Sequence, residues 1–200
     1  MQAAGGASLT RDAEQSNAGG RRRVGVLIAV AAAVLVLDQV TKIIAVEWIG
    51  DGRTVGVVGG VLQLRLVRNP GAAFSLATNM TIVLAVVATA VVAVILRISR
   101  RLRSVPWAVA LGGLLGGAVG NLVDRVFREP APLRGHVVDF LEFPNWPVFN
   151  LADSAIVGSA VLVVLLSLRG VTYDGTGAMK PADEPPEGSA PEVGPEQEKS

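Results

Sequence analysis

The fold class that this sequence predicts is an all-α polytopic membrane protein, four transmembrane helices with a small β-hairpin between the first two. Half of the 200 residues are apolar, and the mean hydropathy of +0.49 is too high for an ordinary soluble domain. Four runs of 17 or more mainly apolar residues stand apart. At ~1.5 Å rise per residue, each nears or spans the ~30 Å hydrocarbon core of a bilayer. The hairpin rests on a third observation, a stretch between the first two runs where apolar and polar residues alternate. The net charge of +1 offers nothing to draw a nucleic acid, so no such partner is expected. The absence of Cys excludes thiol catalysis and disulfides, and a single His, His136, leaves no His cluster for zinc.

Residues 1–20 are small, polar and sparsely charged, and are expected to form a disordered extension ahead of a single membrane domain, 21–170. The first helix, about 24–46, follows Arg21-Arg22-Arg23. No small-residue cleavage site closes this apolar run, so it is an uncleaved span and not a leader. Asp38 lies ~22 Å along that helix from Arg23. Lys42, four residues further, shares its face and can neutralise it. The alternative reading of the two is a snorkelling lysine with a local ion pair.

The β segment covers about 53–68. Val55-Gly56-Val57-Val58 and Val61-Leu62-Gln63-Leu64-Arg65-Leu66 flank Gly59-Gly60, and Leu62, Leu64 and Leu66 alternate with Gln63 and Arg65 as in a half-buried strand. Asn69-Pro70-Gly71-Ala72-Ala73-Phe74-Ser75 then makes a turn, whose Asn can hydrogen-bond an extended peptide. The second helix, about 80–98, ends in the Arg-dense loop 97–103. The third, about 105–123, starts with Pro106 in its first turn, where proline is tolerated. Gly113, Gly117 and Asn121 fall on one face, a small-residue stripe for close helix packing. The stripe ends in Asp124 and Arg125, expected to form an ion pair. Eight Arg (residues 21–23, 97, 100, 101, 103 and 169) lie toward one side in short segments, which predicts both termini in the cytoplasm.

Gly135 to Ser154 carries two aspartates, Asp139 and Asp153, among apolar neighbours on either side of a turn containing Pro144, Trp146 and Pro147. Carboxylates at the mouth of a membrane helix are costly to keep and mark a working site. Asn150 and Asp153 also read as a capping box at the start of the fourth helix, 151–168, which explains Asp153 without any chemistry. Residues 171–200 turn acidic and Pro-rich and are expected to be a disordered tail.

In combination and order, Asp38-Gln39-Val40-Thr41-Lys42, Asn69-Pro70-Gly71-Ala72-Ala73-Phe74, Gly120-Asn121-Leu122-Val123-Asp124-Arg125, Val137-Val138-Asp139-Phe140 and Phe149-Asn150-Leu151-Ala152-Asp153-Ser154 resemble the sequence blocks of bacterial lipoprotein signal peptidase, or signal peptidase II. The similarity runs from about residue 24 to 168, with a longer connection than usual between Arg125 and Gly135. The resemblance implies a monomeric aspartic endopeptidase of the bacterial cytoplasmic membrane, working among membrane lipids near the outer face. It implies prolipoprotein substrates carrying a diacylglyceryl-Cys, cut just before that Cys, with no metal or organic cofactor. Asp139 and Asp153 would be the catalytic pair. Asp38, Lys42, Asn69, Gly117, Asn121, Asp124, Arg125, Asn150 and Ala152 would line or brace the site, and residues 55–66 would form an extracytoplasmic β-cradle.

Two carboxyls within hydrogen-bond reach share one proton at working pH, which suits acid–base hydrolysis. Two other functions stay open on the residues alone. A Ser/Lys hydrolase would use Ser75 or Ser154 with Lys42, although Asp38 opposes the depressed pKa that Lys42 would need. A transporter or assembly factor would use the intramembrane acids for proton or lipid handling.

Overall fold

The computed structural model describes residues 4–50, 52–71, 80–130 and 132–175, with side chains from residue 23 onward except residue 80. Residues 72–75 of the Asn-Pro-Gly turn and most of the C-terminal tail, 176–200, lie outside the described residues.

The helices are α1 (Ala4–Trp48), α2 (Met80–Ser99), α3 (Val105–Phe127) and α4 (Leu151–Leu168), and the strands are β1 (Thr54–Val58), β2 (Leu62–Asn69) and β3 (Val137–Glu142). All four helices contain a stretch long and apolar enough to cross a membrane, beginning at Arg23 in α1. The described chain begins at Ala4, the first residue of α1, inside the stretch 1–20 that the sequence sets apart as an extension. No proline interrupts the chain before Trp48, and extending an existing helix needs no new nucleation.

α3 is the central helix, packed against α1, α2 and α4. Its glycines permit this on two faces. A Cβ on Gly116 would stand 2.6 Å from the Ala31 carbonyl oxygen of α1, and one on Gly117 would stand 2.6 Å from the Ala152 carbonyl oxygen of α4. Real Cβ atoms do not approach so closely, so any larger residue would force α3 away from its neighbours. The expected stripe through Gly113 and Gly117 does face α4; a second, through Gly112 and Gly116, faces α1.

At the end of the bundle where α1 and α3 finish, the strands form an antiparallel sheet in the order β1-β2-β3. The sequence predicts only the first two. Val137 to Phe140 is buried throughout, so it lacks the alternation that marks a half-exposed strand. The sheet packs onto the last turns of α1 through Ala45, Ile49, Leu66, Val138 and Phe140. Gly135 turns the chain from α3 into β3, its N–H donating to the Arg125 carbonyl oxygen at 3.0 Å.

At the opposite end, Leu27, Ile95, Leu102, Ala108 and Leu111 form a second apolar cluster. The chain after α4 crosses it as a strap. Trp107 Nε1 donates to the Val171 carbonyl oxygen at 2.7 Å, the Arg103 N–H donates to the Tyr173 carbonyl oxygen at 2.8 Å, and the Trp107 and Tyr173 rings meet edge to face at 6.2 Å.

Candidate active site

Where the helices meet the sheet, six polar side chains are removed from solvent: Asp38, Lys42, Asn121, Asp124, Asp139 and Asn150. Burial of so many charges is tolerable only if each is paired and hydrogen-bonded. The lysine ammonium is fully enclosed and places its three N–H bonds on three acceptors: Asp38 Oδ2 at 2.8 Å, Asp124 Oδ2 at 2.9 Å and Asn121 Oδ1 at 3.0 Å. Asp124 also accepts from Arg128 Nε at 2.6 Å and from the Val138 N–H at 3.2 Å. Two carboxylates therefore face two cations. Asp38 Oδ1 takes the Ala152 N–H at 3.0 Å, tying α1 to the first turn of α4.

The expected Asp38–Lys42 pair is present. Asp124, however, is not partnered by Arg125 as expected. Adjacent helix residues point ~100° apart, whereas Arg128, four residues on, lies on the face of Asp124. Arg125 donates through Nη1 to the Asn121 carbonyl oxygen at 3.1 Å, and it interacts electrostatically with Asp153 first, then with Asp139 and Asp124.

Three asparagines aim amide N–H groups at the two aspartates, and each is oriented by a neighbour that can only donate. Asn69 Oδ1 accepts the Gly71 N–H at 2.8 Å, so Nδ2 faces Asp139 Oδ2 at 2.8 Å. Asn150 Oδ1 accepts the Asp153 N–H at 2.9 Å, so Nδ2 reaches Asp139 Oδ1 at 2.6 Å and Asn121 Oδ1 at 3.2 Å. Asn121 Oδ1 is taken by Lys42, so Nδ2 faces Asp153 Oδ1 at 2.7 Å. Ammonium and backbone N–H groups accept nothing, so none of these amides can flip without setting donor against donor.

The capping box at α4 is also present: the Asn150 backbone N–H donates to Asp153 Oδ2 at 3.2 Å, and the Asn150 side chain accepts from the Asp153 N–H. The two explanations of Asp153 therefore do not compete. The cap uses Oδ2, and Oδ1 is held by Asn121. Asn150 binds both aspartates at once, Asp139 through its side chain and Asp153 through its backbone. Burial pushes the Asp139 carboxyl up to about 6, with the Asp153 charge adding to the rise; the Asn69 and Asn150 amides and Lys42 pull the other way without overcoming it.

Sequence reasoning missed Gln39 and Arg128. Gln39 Nε2 lies 3.1 Å from both Asp38 Oδ2 and the Gly120 carbonyl oxygen. Arg128 was legible from its spacing to Asp124. Gly117 and Ala152 form a close α3–α4 contact, where a Cβ on Gly117 would meet the Ala152 carbonyl oxygen. Lys42 Nζ is engaged by Asp38, Asp124 and Asn121, and Ser154 spends its hydroxyl proton on the Asn150 carbonyl oxygen at 3.0 Å, which removes the Ser154 form of the Ser/Lys hydrolase. Ser75 lies outside the described residues.

The sequence pattern of the Signal peptidase (SPase) II family matches residues 30–169. The chain belongs to the signal peptidase II family. It is 55% identical over 163 residues to the lipoprotein signal peptidase of Mycobacterium avium (strain 104), covering 82% of this chain and 90% of that protein. It is 56% identical over 150 residues to the lipoprotein signal peptidase of Rhodococcus jostii (strain RHA1), covering 75% of this chain and 76% of that protein. A solved structure described as "Bacterial membrane enzyme structure by the in meso method at 1.9 A resolution" superposes with a TM-score of 0.65 at 28% identity, over 72% of this chain and 94% of that one. Signal peptidase II enzymes are membrane aspartic peptidases that remove signal peptides from prolipoproteins. Family membership thus makes this chain a multi-pass membrane hydrolase and sets aside the transporter alternative.

Proposed function

We propose that Asp139 and Asp153 are the catalytic pair, and that they cleave diacylglyceryl-modified prolipoproteins immediately before the lipidated Cys. The observation that carries this reading is the single asparagine, Asn150, bonded to both carboxyls. It holds two acids in a fixed relation without neutralising either, as a shared-proton pair requires.

Asp139 holds the proton and Asp153 is the base. Asp153 sits in the first turn of α4, where free N–H groups and the positive helix end favour an anion by about 0.3–1 kcal/mol, up to ~2 when partly buried. Burial keeps Asp139 on the acid side. A water gives its proton to Asp153 while its oxygen bonds the scissile carbonyl carbon, and the Asp139 proton passes to the carbonyl oxygen. On collapse, Asp153 returns a proton to the leaving amine and the tetrahedral hydroxyl returns one to Asp139. The products are the signal peptide carboxylate and a new amino group on the lipidated Cys. Arg125 supplies a fixed positive charge beside the pair, and Lys42, through Asn121, keeps the amide aimed at Asp153.

The arginine-rich ends put both termini in the cytoplasm and the pair near the outer face of the bacterial cytoplasmic membrane. The substrate is held there by its own signal helix and acyl chains, and the enzyme works as a monomer among lipids. Purified protein incubated with a lipidated prolipoprotein should give a gel shift to the mature size, with the new N-terminus at the lipidated Cys. Equal cleavage of the unlipidated precursor, or none of either, would contradict the proposal.

A further inference from the structure

The β1–β2 hairpin has two unlike faces. Val55 lies opposite Leu64 and Val58 opposite Leu62, while Thr54 lies opposite Arg65 and Gly56 opposite Gln63. Opposed residues share a face and neighbours alternate, so one face is apolar and the other polar. The polar face carries the charge: Arg65 grips Glu142 with two bonds, Nε–Oε2 at 2.8 Å and Nη2–Oε1 at 2.7 Å. Leu64, on the apolar face, packs against the cluster that includes Ala45 in the last turn of α1 and Ile49 just after it. The ladder slips by one residue between Gly56 and Val58, which keeps Val58, opposite Leu62, on the apolar face; toward the tip Val57, Val58 and Val61 are 51%, 58% and 58% exposed. No charged side chain occurs between Arg53 and Arg65.

An uncharged valine edge left in water is a pairing and aggregation hazard. Here it continues a surface that already belongs to lipid. Along the membrane-crossing part of α1, Val40, Ile43 and Ile44 are exposed, and the row ends at Trp48, 79% exposed, six residues before β1. An exposed tryptophan at the end of a spanning helix suits the headgroup layer.

We propose that the hairpin tip lies in the interfacial layer of the leaflet where α1 ends, its valines against the acyl boundary and the Arg65–Glu142 pair toward water. The partner is the lipid surface itself. Amphipathic segments settle ~5–10 Å into that boundary by burying apolar area. Anchored there, the hairpin fixes the height of β2, whose Asn69 holds Asp139.

The chain has no Cys, so single cysteines can be labelled cleanly. Val55→Cys, Val58→Cys and Thr54→Cys, the last on the polar face, would each carry an environment-sensitive fluorophore in protein reconstituted into phosphatidylcholine–phosphatidylglycerol vesicles. The labels at 55 and 58 should emit at shorter wavelength than the label at 54, and should be quenched by lipids spin-labelled high on the acyl chain. Water-like emission at both valine positions, with no lipid quenching, would overturn the proposal. So would self-quenching that follows protein density instead of lipid label, because a second copy would then cover the edge. The measurement needs no substrate, so its outcome is independent of the catalytic assignment.

Discussion

Asp139 receives N–H bonds on both oxygens and nevertheless has its carboxyl raised to about 6, because the loss of solvation outweighs the two amides and Lys42. Two consequences can be measured. Removing the neighbouring charge with Asp153→Asn should lower the Asp139 pKa, though burial keeps it above 3.8. Followed by infrared spectroscopy, the Asp139 carboxyl in Asp153→Asn should keep its proton to higher pH than the Asp153 carboxyl in Asp139→Asn; the reverse order would exchange the roles of acid and base. If Asp139 is the acid, as proposed, kcat/KM should fall as pH rises through about 6, where its carboxyl loses the proton. For stability the sign is the same. A carboxyl raised on folding binds its proton more tightly in the folded state, so its favourable contribution is complete below 3.8 and is lost by about 6. The braces behave differently. Lys42→Met leaves Asp38 and Asp124 buried without their shared cation and should cost about 3–5 kcal/mol in thermal or denaturant unfolding. Arg128→Gln should cost less, because the Arg128 side chain is 26% exposed and Asp124 keeps Lys42.

At the scale of elements, the first turn of α4 is held from three sides: by Asp38 on α1, by the glycine face of α3 and by Asn150. A methyl group at Gly117 meets the Ala152 carbonyl oxygen and Ile156, whereas one at Gly158 meets nothing within 4 Å. Gly117→Ala should therefore lower both melting temperature and turnover by pushing Asp153 out of register. Gly158→Ala should leave turnover unchanged and gain up to ~1 kcal/mol from helix propensity. Equal behaviour of the two variants would show that α3–α4 contact does not position the site. The same elements show what a sequence can and cannot reveal. α2 and α4 start at Met80 and Leu151, as the apolar runs predict, because membrane length is written in composition. α3 extends four residues beyond its predicted end at residue 123, to Phe127, carrying Asp124 into reach of Arg128. β3 was invisible because burial on all sides erases periodicity. The site residues were legible as motifs, but not their bonds: nothing local in the sequence says that Asn150 reaches Asp139 or that Lys42 orients Asn121.

Across the whole molecule, the two ends of the bundle are built differently. One end is a polar network linking α1, α3, α4, β2 and β3; the other is an apolar cluster closed by the strap through Tyr173. Deleting residues 176–200 should leave turnover and melting temperature unchanged. Deleting from residue 171 onward should lower the melting temperature, because it removes the partners of Trp107 and of the Arg103 N–H. The catalytic claim is tested most directly by the rate at which purified Asp139→Asn and Asp153→Asn cleave a lipidated prolipoprotein, measured beside their melting temperatures. Each variant should remain folded and lose turnover by at least the ~10²–10⁴-fold that a general acid or base contributes. A folded variant of either position that cleaves near the wild-type rate would contradict the pair.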